Sequence, residues 1–191
     1  IKWSEQNIKR AISEKLPADN NIVVISGIRR CGKSTFLNEI RSTLKENNYY
    51  LNFDDDRLLH FRVEDFQQLY ELFIELFGEQ KTFYFDEIQI IKGWERFVRR
   101  LHDYGNKVYI TGSNASMLSR ELGTHLTGRY YQFELFPFSF SEFLSYNKIV
   151  IDKNIYLSTK EKASTINHYH EYFELGGFPA YIAGKNKDYL K

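Results

Sequence analysis

Residues 22–35 read IVVISGIRRCGKST, and no other stretch limits the fold of this chain so tightly. A β-branched apolar run ends at Gly27, and Gly32, Lys33 and Ser34 complete the spacing G-x-x-x-x-G-K-[ST]. Glycine at those two places lets the backbone curl until successive N–H groups face a single anion. Leu37, Ile40 and Leu44 then recur three and four apart, which predicts a helix from Lys33 to about Glu46. The positive end of that helix faces the same anion. Lys33 is then placed for the β- and γ-phosphates of a nucleotide, and the Ser34 hydroxyl for Mg²⁺. The candidate nucleotide-binding set is Gly27, Ile28, Arg29, Arg30, Cys31, Gly32, Lys33, Ser34 and Thr35. Thr35 also reads as an ordinary helix residue, and Cys31 as a small loop residue. A plain strand–turn–helix connection is the alternative; the strand before and the helix after are the context the phosphate reading requires.

The alternation continues downstream. Strands are predicted at 49–53 (YYLNF), 82–85 (TFYF), 107–111 (KVYIT) and 129–135 (RYYQFEL). Helices are predicted at 62–77, where Phe66, Leu69, Tyr70, Phe73 and Phe77 form one stripe, and around Trp94, Phe97, Val98 and Leu101. Another is expected from about 116 to 122. Strands alternating with helices imply an α/β fold, a mostly parallel sheet with helices on both faces. An amphipathic helix is expected over residues 1–16, with Trp3, Ile8, Ile12 and Leu16 on one face, broken by PADNN. The tail from 137 differs: FPFSFSEFL, a helix around 160–175, then GGFP.

Two carboxylates, Asp86 and Glu87, follow the third strand. Ligands of open α/β sheets bind outside the carboxyl ends of the strands, so the pair faces the phosphate loop. Asp86 is placed to hold Mg²⁺ alongside Ser34, and Glu87 to polarise an attacking water; a surface turn is the alternative. Gln89 is either a site contact or the start of the next loop. Asn52 is either a hydrogen-bond partner of Glu87 or a strand-end turn residue. Ser113 or Asn114, after the fourth strand, either orients the water or caps the following helix. Of Arg120 and Arg129, the second precedes the fifth strand and is a candidate to neutralise transition-state charge across a subunit interface, or a solvated surface residue. Arg96, Arg99 and Arg100 share a helix face that is either solvated or binds nucleic acid or an acidic partner. His168 and His170, two apart, point in different directions on a helix and form no metal pattern.

With GIRRCGKST, FYFDEIQ, ITGSNASML, LTGRYYQFELFPFSFSEFL and GGFP in view, the chain resembles the AAA+ superfamily. More closely, it is similar to bacterial and archaeal AAA ATPases, of the AAA_14 type, that carry a C-terminal DUF4143 domain. The resemblance implies a P-loop NTPase three-layer α/β/α sandwich with a five-stranded sheet in the order 5-1-4-3-2. It implies ATP with Mg²⁺, and catalytic roles for Lys33, Glu87, Arg129 and either Ser113 or Asn114. Arg129 would act in trans, within a homo-oligomer. It divides the chain into a nucleotide-binding core to residue 136, whose first 18 residues hold the N-terminal helix, and the start of a small helical lid over 137–191. FPFSFSEFL would be the loop into that lid, and the DUF4143 domain would lie beyond Lys191.

The totals restrict function further. With 26 basic and 25 acidic residues the net charge is +1, so only a local patch can attract nucleic acid or a membrane surface. One cysteine cannot close an internal disulfide, which fits a reducing cytoplasm. No stretch approaches the roughly 20 apolar residues that span a bilayer, and no signal peptide pattern opens the chain. The first residue is Ile1 rather than methionine, and the sequence stops soon after GGFP, so a piece of a longer protein is expected. Three activities fit: an ATPase driving shape change in an assembly, a nucleotide-operated binding module for nucleic acid or protein, and a P-loop kinase. Glu87 favours the first over the second. The adjacent Asp86–Glu87 pair argues against the third.

Overall fold

The computed structural model describes residues 10, 16–17, 19–44, 46–113, 123, 126–150 and 158–184. The predicted N-terminal helix lies almost wholly outside the described residues. The helix expected over 116–122, Asn114 and Arg120 lie outside them altogether.

The chain divides into two compact units. The larger, Ile12–Arg29 with Lys33–Leu135, holds a five-stranded sheet. Its strands are β1 (Ile22–Ser26), β2 (Tyr49–Asn52), β3 (Thr82–Asp86), β4 (Lys107–Gly112) and β5 (Tyr130–Glu134). All neighbours run parallel, in the order β2-β3-β4-β1-β5, the order the resemblance implies. β1 and β3 are buried along their whole length, which is why IVVIS and TFYF read as unbroken apolar runs rather than as alternation.

Side-chain alternation assigns the two faces of the sheet. Ile22, Val24, Phe83, Phe85, Val108 and Ile110 form one core with α2 (Phe66–Phe77) and α3 (Trp94–Asp103). There the Phe66 ring stacks on Phe97 with centroids 4.5 Å apart. On the other face, Tyr50, Tyr84 and Tyr109 stand on one rung, and α1 (Lys33–Leu44) packs over them. The Arg41 guanidinium of α1 lies 4.8 Å above the Tyr50 ring.

α2 begins four residues later than the pattern predicts. Residues Val63–Asp65 form a 3₁₀ turn instead, closed by the Asp65 carboxylate accepting the Arg62 N–H at 2.7 Å. Phe66, Leu69, Tyr70 and Phe73 pack on the core as predicted; Phe77, the last of the stripe, is exposed.

The smaller unit comprises Ile1–Ala11, Arg30–Gly32 and Phe136–Lys191. Its described helices are α4 (Phe140–Tyr146), α5 (Thr159–Leu175) and α6 (Pro179–Gly184), around a core of Phe138, Phe143, Leu144 and Ile182. FPFSFSEFL is therefore more than a loop. Ser139 and Glu142 exchange hydrogen bonds as a capping box and start α4. The GGFP turn has a packing reason. A Cβ on Gly177 would lie 2.3 Å from the Phe138 carbonyl oxygen, and Phe138 N–H donates to Gly177 O at 2.6 Å.

Candidate functional site

The site is built at the carboxyl ends of β1, β3 and β4. Beyond β1 the loop places Arg30 at φ 68° and Gly32 at φ 99°. Left-handed residues between right-handed or extended ones turn successive N–H groups toward one side, an anion-binding concavity. Arg30 holds that conformation without glycine's freedom, a strain that collects at functional loops. α1 carries no acidic residue in its first turn, so its positive end is not neutralised from within the helix. Gly27 and Cys31 are buried, Ser34 is half-buried, and Ile28, Arg29, Arg30 and Thr35 are exposed.

Lys33 is only 4% exposed. Its ammonium lies 3.3 Å from Glu87 Oε1 and donates to the Ile28 carbonyl at 3.3 Å. Glu87 follows β3 in a left-handed conformation, φ 52°. That turn carries its side chain back toward Lys33 and β4. The Ser113 hydroxyl lies 2.7 Å from both carboxylate oxygens, and Gln89 Nε2 donates to Oε2 at 2.6 Å. Burial opposes ionisation of Glu87, but the hydrogen bonds from Ser113 and Gln89 and the charge of Lys33 outweigh it. The carboxyl is held below its usual range and is ionised at neutral pH.

Asp86 alternates with Tyr84 and therefore faces α1, as do Thr111 and Ser113 by the same count from Tyr109. It is buried, and burial pushes its carboxyl above the usual range. The Thr111 hydroxyl donates to Oδ1. The other oxygen, Oδ2, is buried with no hydrogen-bond partner; the Ser34 hydroxyl lies close enough to favour the ionised form without closing a bond onto it. An orphaned carboxylate oxygen beside a serine hydroxyl fits a divalent cation. Among the described residues no group of three or more His, Cys, Asp or Glu gathers to hold a metal. A cation at Asp86 and Ser34 would thus complete its shell with phosphate oxygens and water, the usual habit of Mg²⁺.

Lys33, Ser34, Asp86, Glu87 and Ser113 thus converge. Other candidates do not. Asn52 accepts the Asp54 N–H at 3.0 Å, so it shapes the turn after β2. Of the two roles open to Gln89, it makes the contact with Glu87. Arg129 precedes β5, and its carbonyl accepts the N–H of Ile22 at the start of β1. The five residues of β1 separate it from the loop by roughly 16 Å. Its guanidinium pairs with Asp103 at 3.4 Å. Arg99 also reaches Asp103, at 3.6 Å, and Arg100 lies over Phe97, while Arg96 is exposed. His168 pairs with Glu171.

Thr111 was missed by sequence reasoning: inside KVYIT it reads as a β-branched strand residue, and only its place beside the end of β3 reveals the hydroxyl's use.

Residues 19–144 match the AAA_14 family, described as an AAA domain. An uncharacterised protein of Methanocaldococcus jannaschii is 39% identical over 173 residues, covering 90% of this chain and 38% of its own length. One of Haemophilus influenzae is 38% identical over 169 residues, covering 84% and 40%. The chain thus spans about two fifths of the curated relatives it matches. Among solved structures, domain III of the Thermotoga maritima replication initiation protein DnaA is 16% identical with a TM-score of 0.47, covering 74% of this chain and 68% of that one.

Proposed function

The chain belongs to the AAA_14 family of AAA domains, and on that premise we propose that it binds ATP with Mg²⁺ and hydrolyses the β–γ bond. The fold is an α/β P-loop NTPase, and the family is one of nucleotide-binding, ATPase-type domains. Hydrolysis is supported by the convergence of Lys33, Glu87 and Ser113 beside an orphaned oxygen of Asp86.

The loop N–H groups of residues 27–35 and the α1 terminus hold the phosphates, and Lys33 carries the charge of the β- and γ-groups. Ser34 and Asp86 hold Mg²⁺, which when bound supplies charge neutralisation on the phosphate oxygens. Glu87 is ionised and takes a proton from water, and Ser113 or Asn114 orients that water. The same ammonium that serves phosphate is paired with Glu87. Phosphate and Glu87 therefore compete for Lys33, and drawing Lys33 away leaves the carboxylate free to act as a base.

The place of Arg129 at the amino-terminal end of the sheet supports action in trans, in a homo-oligomer, because its own loop lies at the other end. The proposal extends to a core ending near residue 136, a lid beyond it, a DUF4143-type domain elsewhere in the polypeptide and a cytoplasmic setting. Support for the further domain is the two-fifths span of the relatives. Among the described residues no helix is long and apolar enough to cross a membrane.

A second reading is favoured by one observation: Glu87 is held at once by Lys33, Ser113 and Gln89. A base kept so occupied suits a nucleotide-operated module that presents a surface to nucleic acid or protein and hydrolyses slowly. Phosphate release from ATP, with and without Mg²⁺, separates the two. Mg²⁺-dependent release supports the ATPase; ATP binding without release supports the module.

A further inference from the structure

Thr111, the penultimate residue of β4, is fully buried, and its hydroxyl serves two neighbours. It donates to Asp86 Oδ1 and accepts the backbone N–H of Glu87 at 2.9 Å. Resting on the Mg²⁺–ATP reading, we propose that Thr111 is a positioning residue that sets the metal carboxylate and the general base together.

A hydroxyl has one proton to give and lone pairs to receive with. Its proton is committed to Oδ1, which fixes the rotation of the Asp86 carboxylate. Oδ2 is thereby the oxygen left to a cation alongside Ser34. The lone pair of the Thr111 hydroxyl holds the N–H of Glu87, whose φ of 52° is one that non-glycine residues adopt sparingly. That hydrogen bond ties the left-handed turn to β4, from which Ser113 reaches the Glu87 carboxylate. One side chain on β4 thus couples the direction of the metal ligand to the direction of the base. Valine fills the same space and supplies neither bond, so β-sheet packing alone does not call for threonine here.

The test is binding of a fluorescent N-methylanthraniloyl ATP to the whole chain, titrated with Mg²⁺ and repeated in excess chelator. In Thr111→Val the Mg²⁺ midpoint is expected to rise about tenfold or more, the usual effect of removing the group that orients a metal ligand. Binding in chelator, which rests on Lys33 and the loop, stays as in wild type. Thr111→Ser, which retains the hydroxyl, keeps a midpoint near wild type. A folded Thr111→Val chain with the wild-type midpoint overturns the proposal. If Thr111→Val does not fold, Thr111→Ser decides: an undisplaced midpoint supports the hydroxyl's role, and a displaced one overturns it. Wild-type binding that is indifferent to Mg²⁺ defeats the metal reading itself and takes this inference down with it.

Discussion

At the scale of single residues, the site turns on which group holds the charge of Lys33. Its ammonium is buried and shared between Glu87 and the Ile28 carbonyl, so it is already desolvated and directed. On the proposed reading, removing it takes away charge-assisted hydrogen bonds to phosphate worth about 1.5–3 kcal/mol. Lys33→Ala is therefore expected to weaken ATP binding by about tenfold or more, read by calorimetric titration. Unchanged affinity would mean that the phosphates lie elsewhere. Thr111→Val carries a stability cost besides its effect on Mg²⁺. It leaves Asp86 Oδ1 and the Glu87 N–H without Thr111, at about 1–3 kcal/mol in chemical denaturation. A midpoint equal to wild type would show that both groups find other partners. The convergence of Lys33, Ser34, Asp86 and Glu87 was legible because their positions relative to strand ends are written in local sequence. Thr111 was not, because its role depends on which strand lies beside β3. Asn52 takes the second of its two readings: adjacency of β2 to β3 brings it near the site, but its side chain satisfies its own turn.

At the scale of elements, the strands were legible where burial is complete. β1 and β3 are apolar from end to end, and so is their sequence. Boundaries shifted where local hydrogen bonding took over from periodicity. The Arg62–Asp65 closure delays α2, and the Ser139–Glu142 box starts a helix in what reads as a loop. The signal for α4 was present as S-x-x-E, but the aromatic run FPFSF masks it. GGFP is the clearest case of a motif whose packing meaning needs coordinates. Gly177 lies against the Phe138 backbone, and a methyl there meets a carbonyl oxygen that cannot swing aside. Gly177→Ala is expected to destabilise the smaller unit by about 1–3 kcal/mol, seen as earlier loss of helix on heating. Wild-type melting would show that the turn relaxes without penalty.

At the scale of the whole molecule, the shared direction of β1 and β5 puts Arg129 at the opposite end of the sheet from the phosphate loop. The loop and both carboxylates gather at the carboxyl ends of the strands, while Arg129 sits where β1 starts, paired with Asp103. An arginine so placed lies far from its own phosphate loop, and the role proposed for it is at a neighbour's site. Specific activity is expected to climb with protein concentration, and Arg129→Ala to flatten that rise. A flat wild-type dependence, with Arg129→Ala behaving as wild type, would remove the trans role. The arginine face of α3 is partly spent on Asp103 and Phe97, which leaves less of it for nucleic acid than the sequence alone implies. Phosphate contacts make such binding salt-dependent, so duplex DNA binding that is absent or indifferent to salt would dispose of it. The proposed role of Glu87 as the base of an ATPase is tested by phosphate release from ATP with Mg²⁺, measured for the wild-type chain and for Glu87→Gln. Glu87→Gln is expected to bind ATP as well as wild type while turnover falls at least ~100-fold. Turnover by Glu87→Gln at the wild-type rate would contradict that role.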